Sequence, residues 1–105
     1  MERYISPLTP ELARAARALS RVSVDVIAQH ASLDPQRVRD FERRGIALAP
    51  EANDRLRSAL EEHGVVFFDD DDQGGYGVRR KYTASKVRQL QRWEAEGGPA
   101  YEDDI

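Results

Sequence analysis

The residues of this chain that could do chemistry are concentrated in one stretch, DPQRVRDFERR, at positions 34–44. It holds four arginines, three carboxylates and one amide in eleven residues, although the whole chain has a formal charge of −3. If the stretch is a helix with about 100° per residue, Val38 and Phe41 lie on one side. The side chains on the opposite side are polar or charged: Gln36, Arg39, Asp40 and Arg43, with Arg37 and Arg44 on one flank.

These groups match the edges of DNA bases. Glutamine pairs with adenine, arginine pairs with guanine, and a carboxylate accepts from cytosine. Arginines on the flank suit phosphates, which position a protein without reading sequence. The alternative interpretation is an ordinary amphipathic helix whose arginines are solvated. A solvated face tends to mix Lys and Glu, whereas every cation here is Arg, which is the better bidentate donor.

Helix signals surround this stretch and predict the elements that position it. Thr9, Ser23 and Asp34 look like helix N-caps, and prolines follow the first and third of them. The second helix (about 24–31) and the third (about 35–43) are then joined by three residues. Two helices joined so tightly must cross steeply, which is the helix-turn-helix arrangement.

The pattern changes from helix to strand after a fourth helix that is predicted from Pro50 to His63. The runs VVFF and VRRKY flank the acidic segment DDDDQGGYG and predict a β-hairpin with a long loop. A fifth helix is predicted from Thr83 or Ser85 to Glu96. We therefore expect a mainly α chain in three parts: a domain at 1–64, a hairpin and helix at 65–97, and a mobile acidic tail at 98–105.

Composition narrows the class of protein. With 105 residues, 40% of them hydrophobic and 33% charged, there is room for one small globular domain, perhaps with an appendage. The absence of cysteine excludes disulfides and thiolate metal sites and fits a reducing compartment. The sequence has neither an apolar run of the roughly 20 residues that a membrane helix needs nor a signal-peptide segment near its start. We expect a cytoplasmic protein.

Charge is divided unevenly along the chain. Residues 1–60 carry ten Arg and Lys against eight Asp and Glu, a net charge of +2. Residues 61–105 carry six against eleven, a net charge of −5. The first part can therefore face a polyanion, whereas the second would be repelled by one.

Patterns typical of catalysis or metal binding are missing from the sequence. The four aspartates at 69–72 lack the alternating spacing of a calcium loop, and no glutamate follows at the required distance. His30 and His63 have no partner at ligand spacing. A nucleophile paired with a base and a glycine loop for phosphate are also absent. We expect neither an enzyme nor a protein that holds a metal or cofactor.

Residues 9–64 resemble the phage-repressor or Cro-type helix-turn-helix family, also called the xenobiotic-response-element-like (XRE) family. RAARAL is similar to the first helix of that family, SVDVIA to the start of the second, and VRDFER to the end of the recognition helix. The stretch LRSALEEHGVVFFDDDDQGGYGVRRKY resembles a tail of many bacterial members. The resemblance implies a repressor-like domain, a β-hairpin and a bacterial or phage transcription regulator that binds double-stranded DNA as a homodimer on an inverted repeat.

The resemblance also implies roles for single residues. The implied base contacts are Pro35, Gln36 and Asp40, with Arg37 or Arg39 joining them. The implied phosphate contacts are Ser23, Arg43 and the first N–H groups of the second helix, at Val24, and the helical wheel adds Arg44. An ion pair between Arg17 and Glu42 is implied between the first and third helices.

Four departures from the family pattern affect the expected affinity more than the expected fold. Val24 stands where the family usually has Gln, Asp34 replaces a Ser or Thr cap, and Ser32 replaces the usual turn Gly. The loop GIALA is apolar where a basic residue would help. We therefore expect modest non-specific binding and a site that relies on base contacts and dimerisation.

The hairpin needs a partner surface because an isolated hairpin is marginally stable in water. That surface is either the fourth helix or the same hairpin of a second chain. We predict a homodimer through the hairpin and fifth helix, with contacts from Val66, Phe67, Phe68, Val78, Val87, Leu90 and Trp93. The alternative function is an antitoxin or accessory module of the same fold that binds a toxin or polymerase through its C-terminal part.

Overall fold

The computed structural model describes residues 6–83 and Ser85, and this part is mainly helical with one antiparallel hairpin. The elements in chain order are α1 (Pro10–Ser20), α2 (Val24–Ala31), α3 (Pro35–Arg44), α4 (Pro50–Glu62), β1 (Val65–Phe68) and β2 (Gly77–Arg80). The predicted fifth helix beyond Ser85, with Val87, Leu90 and Trp93, and the predicted tail at 98–105 lie outside the described residues.

The first three helices begin at the caps that the sequence predicts. The side chains of Thr9, Ser23 and Asp34 each accept a hydrogen bond from a backbone N–H in the first turn of their helix. Ser32 and Gly45 end α2 and α3 in the left-handed conformation, with φ of 60° and 71°. That conformation is free of strain for glycine, whereas in a residue with a Cβ it causes steric strain.

The core lies between α1, α2 and α4, and the inner side of α3 packs against α1 and α2. The largest fully buried side chains come from several elements: Ile27, Val38, Leu56, Leu60 and Val65. The predicted start of α4 at Pro50 is confirmed, and its buried apolar residues are Ala52, Leu56, Ala59 and Leu60. The helix ends at Glu62, and the predicted last residue, His63, is its C-cap.

The hairpin packs on α1 and α4 of its own chain. In its register Val65 pairs with Arg80 and Phe68 pairs with Gly77. The second strand therefore begins one residue before the predicted VRRKY and ends at Arg80. The ring of Phe68 lies over Gly77, where a Cβ would come within 2.8 Å of it, so a larger residue there would require the ring to move.

A buried amide joins the segment before α1 to α4. The Asn53 Oδ1 accepts from the backbone N–H of Leu8, and Nδ2 donates to its carbonyl, both at 3.0 Å. Asn53 is 8% exposed and Leu8 3%. The two backbone groups would otherwise be buried without a partner, which is costly. No local pattern in the sequence indicates this contact, because the bond joins residues 45 positions apart.

Candidate nucleic-acid interface

The turn between α2 and α3 consists of Ser32, Leu33 and Asp34, as the sequence predicts. The backbone N–H of Leu33 donates to the carbonyl of Ala28 at 2.8 Å. Ala28 is completely buried, and the half-buried side chain of Leu33 packs against the core. The small alanine leaves room for the chain to turn back, and α3 packs against both α1 and α2.

The inner side of α3 is held in the core. Val38 is completely buried, Phe41 is 4% exposed and Glu42 is 3% exposed. The buried carboxylate of Glu42 pairs with Arg17 of α1, and Arg14 donates to the Glu42 carbonyl. The hydrogen bonds to Glu42 raise the pKa of the Arg17 guanidinium, so that residue stays charged. These contacts fix which side of α3 points outward.

The outer side of α3 carries the predicted base-reading groups. Gln36, Arg37, Arg43 and Arg44 are exposed, while Pro35, Arg39 and Asp40 are half-buried. The side chains are not independent, because the Gln36 Nε2 donates to Asp40 Oδ1 at 3.0 Å. Arg44 lies farther from the same oxygen, at 3.8 Å. The sequence predicts this face of α3, but no pattern in it indicates the network.

The bond between Gln36 and Asp40 leaves the amide able to read a base. An amide nitrogen has two hydrogens, and Asp40 takes one of them. The second hydrogen can be donated to N7 of adenine, and the Oε1 can accept from N6 of the same base. Because only the nitrogen of the amide can donate to a carboxylate, the contact also fixes which way the amide points.

The N-terminus of α2 presents the predicted phosphate-binding groups. The Ser23 hydroxyl accepts from the backbone N–H of Val26 at 3.1 Å. A hydroxyl can accept and donate at once, so Ser23 can cap the helix and still donate to a phosphate. The side chain of Val24 is half-buried and packs against the core, which leaves its backbone N–H as the group available for an anion.

Several arginines outside α3 bind carbonyl groups of the fold. Arg55 donates to the Ala31 carbonyl at 3.0 Å, and Arg80 donates to the Leu19 carbonyl at 3.2 Å. Both contacts satisfy carbonyls in the last turn of a helix, which lack a partner within the helix. Of these two arginines only Arg55 belongs to residues 1–60, where Arg57 likewise donates to the Ser6 carbonyl at 2.9 Å. The net charge of residues 1–60 therefore overstates the basic surface that could face a polyanion.

Among the described residues, seven charged groups lie on the outer side of α3, at its N-cap or on α2 in contact with Arg39. The four guanidinium groups belong to Arg37, Arg39, Arg43 and Arg44, and the three carboxylates belong to Asp25, Asp34 and Asp40. Four positive charges against three negative ones leave a local net of +1. A surface so nearly balanced attracts a polyanion weakly, so recognition would depend on hydrogen bonds to bases.

The hairpin residues predicted for dimerisation lie on two faces. Phe67 and Val78 pair across the strands and pack against the core of their own chain. Val66 and Phe68 lie on the other face, and Phe68 is 37% exposed. The guanidinium of Arg79 lies over the Phe68 ring, 5.4 Å from its centre. Of the two partner surfaces considered for the hairpin, α4 together with α1 covers the inner face.

The two histidines contact each other, which the sequence analysis missed. His30 Nδ1 lies 3.2 Å from His63 Nε2, and the other nitrogen of His30 lies 2.6 Å from a carboxylate oxygen of Glu62. The contact joins the end of α2 to the end of α4. Within residues 6–83 and Ser85, no group of three or more His, Asp or Glu side chains is arranged to hold a metal ion.

Comparisons with known proteins add no assignment. No family model matches the chain, and no curated protein matches it. None of the helices in the described part is both long and apolar enough to cross a membrane. The functional interpretation therefore rests on the residues and on their geometry.

Proposed function

We propose that this chain is a sequence-specific transcriptional regulator of the helix-turn-helix type, with α3 entering the major groove of double-stranded DNA. The observation that carries the proposal is the division of α3 into two faces. Val38 and Phe41 anchor one face in the core, while Gln36 and Arg43 are exposed on the other. The major groove admits a helix and displays base edges to amide and guanidinium groups.

The arrangement of α2 supports the same proposal. Its first turn is capped by Ser23 and carries backbone N–H groups whose dipoles favour an anion. A three-residue turn connects it to α3. In this proposal α2 crosses the DNA backbone and contacts a phosphate, while Arg43 and Arg44 hold phosphates beside the groove.

We also propose that the chain binds as a homodimer on an inverted repeat. A single recognition helix covers few base pairs, and dimers of this type bind half-sites about one helical turn, ~34 Å, apart. The outer face of the hairpin, with Val66 and Phe68, together with the segment that follows it, is the proposed dimer contact. A monomer in sedimentation equilibrium at tens of micromolar, with DNA binding intact, would overturn this part.

The test is selection of bound fragments from a pool of random duplexes by the full chain, followed by sequencing. The expected result is one enriched motif with two-fold symmetry. A double variant, Gln36→Ala with Arg39→Ala, serves as the control, since it removes two proposed base contacts while the core anchors of α3 remain. A wild-type selection that enriches no sequence would overturn the proposed function.

A further inference from the structure

Asp25 and Arg39 form a contact between α2 and the outer side of α3. The Arg39 Nη2 donates to Asp25 Oδ1 at 2.8 Å, across 14 residues of sequence. The side chain of Asp25 is 69% exposed and that of Arg39 is 34% exposed. The pair lies at the surface proposed to face DNA, and the favourable position of an acid in the first turn of α2 does not account for it.

The contact restricts a side chain that would otherwise sample many rotamers. An arginine side chain loses much of its rotational freedom when its guanidinium binds a base. The loss is smaller when another contact already holds the guanidinium in position. The guanidinium carries five N–H donors, of which Asp25 takes one. The remaining donors include enough for the two parallel bonds that guanine accepts at its O6 and N7.

The negative charge of Asp25 has a second effect, which weakens binding to DNA. Asp25 lies in the first turn of α2, beside the N–H groups proposed to meet a phosphate. Its carboxylate repels DNA of any sequence and neutralises part of the attraction of Arg39 for phosphates. One residue thus lowers binding to all duplexes while it orients a group for one base.

We infer that Asp25 is a positioning residue that makes Arg39 selective for a guanine and at the same time weakens binding to unrelated DNA. The inference rests on the proposed function. It separates Arg39 from Arg37, since the resemblance to the family left open which of the two joins the base contacts. It also explains why a carboxylate lies at the N-terminus of α2, where the backbone N–H groups alone would attract phosphate.

The experiment measures the dissociation constants of the full chain for two duplexes, the motif selected by wild type and a scrambled sequence. The variants are Asp25→Ala, Arg39→Ala and both together. Asp34→Asn is the matched control, because it removes one exposed negative charge from the same surface and Asn still caps a helix. Circular dichroism should show that Asp25→Ala keeps its fold, since breaking this exposed pair leaves no buried charge.

Asp25→Ala is expected to bind the scrambled duplex more tightly and to lose about tenfold in the ratio between the two duplexes. The loss should fall on the base pair at which Arg39→Ala loses discrimination, and it should vanish in the Arg39→Ala background. Asp34→Asn should tighten binding to both duplexes by the same factor.

The inference is overturned if Asp25→Ala changes the dissociation constants for both duplexes by the same factor, as the control is expected to do. It is also overturned if the loss of discrimination persists without Arg39, or if Arg39→Ala loses no discrimination. If the wild type selects no motif, the proposed function is overturned as well. If Asp25→Ala keeps the wild-type ratio of dissociation constants for the motif and the scrambled duplex, only the role of Asp25 is overturned.

Discussion

Arg17 and Glu42 are joined by two parallel hydrogen bonds across the contact between α1 and α3. The Arg17 Nε donates to one carboxylate oxygen and Nη2 donates to the other, each at 2.8 Å. The side chain of Glu42 is 3% exposed and that of Arg17 is 25% exposed. The pair locks the rotation of α3 about its axis and so decides which of its side chains face outward.

Removing Arg17 should destabilise the fold more than neutralising Glu42. Arg17→Ala leaves a buried carboxylate without its partner, and we expect a loss of about 3 kcal/mol in the free energy of unfolding. Glu42→Gln keeps an oxygen that accepts one of the bonds, and we expect a loss of about 1–2 kcal/mol. Urea unfolding followed by circular dichroism measures both, and equal midpoints for Arg17→Ala and wild type would contradict the prediction.

The residues proposed to read bases and those proposed to bind phosphates should differ in their effects on DNA affinity. Gln36→Ala and Asp40→Ala should lose about 1–3 kcal/mol of discrimination for each base contact removed. Arg43→Ala should weaken binding to every duplex and reduce the slope against log salt by about 1. Titrations on the selected motif and on scrambled DNA at several salt concentrations measure this. Matching behaviour of Gln36→Ala and Arg43→Ala on both duplexes would refute the assignment of roles.

Glycine at the end of α2 should stabilise the fold. Ser32 has φ of 60°, so Ser32→Gly relieves left-handed strain and should gain about 0.5–1 kcal/mol. Gly45→Ala is the matched reverse change, because φ is 71° and a Cβ there would meet nothing within 4 Å in the described part of the structure. It should lose about 1 kcal/mol from strain alone. Thermal unfolding checks both signs, and a lower midpoint for Ser32→Gly would count against this account.

The buried amide of Asn53 should be required for full stability. Asn53→Ala removes two hydrogen bonds to Leu8 and should cost about 2 kcal/mol. Asn53→Asp should cost at least as much, because a carboxylate oxygen would replace the donor that faces the Leu8 carbonyl. Asp54→Ala, at the exposed neighbouring position, should change stability by less than about 0.5 kcal/mol. Chemical denaturation of the three variants makes the comparison, and similar midpoints would remove the role assigned to Asn53.

Two neighbouring phenylalanines should separate folding from self-association. Phe68→Ala, on the outer face of the hairpin, should weaken the proposed homodimer with little change in unfolding of the monomer. Phe67→Ala should instead lower stability by about 2 kcal/mol, because Phe67 packs against the core and under the guanidinium of Arg57. Sedimentation equilibrium and unfolding of dilute samples provide the two measurements. Unchanged association of Phe68→Ala would place the dimer contact elsewhere.

Local signals predicted the described helices well. The caps at Thr9, Ser23 and Asp34 marked three helix starts, and the spacing of Val38 and Phe41 predicted the buried side of α3. These signals work because a cap and a helical period act within one or two turns of chain. The predicted start of β2 was one residue late, because the strand begins at Gly77, which pairs with Phe68 across the hairpin.

Contacts between distant segments were harder to predict. The charge of residues 1–60 suggested a basic surface, but Arg55 and Arg57 of this part donate to backbone carbonyls. No local pattern in the sequence indicates the contact of His30 with His63 or that of Asn53 with Leu8. The pair of Arg17 with Glu42 was expected only through the resemblance to a family, and its geometry agrees with that expectation.

The sequence by itself determined where the helices lie, how they are capped, and that α3 has an apolar side and a side rich in guanidinium groups. Only the tertiary structure decided what each polar group contacts: Gln36 bonds to Asp40, Asp25 holds Arg39, and Phe67 turns inward while Phe68 stays exposed. The physical reason is range. Periodicity and capping depend on neighbours along the chain, whereas an ion pair or a packed ring depends on how two elements cross after they have folded.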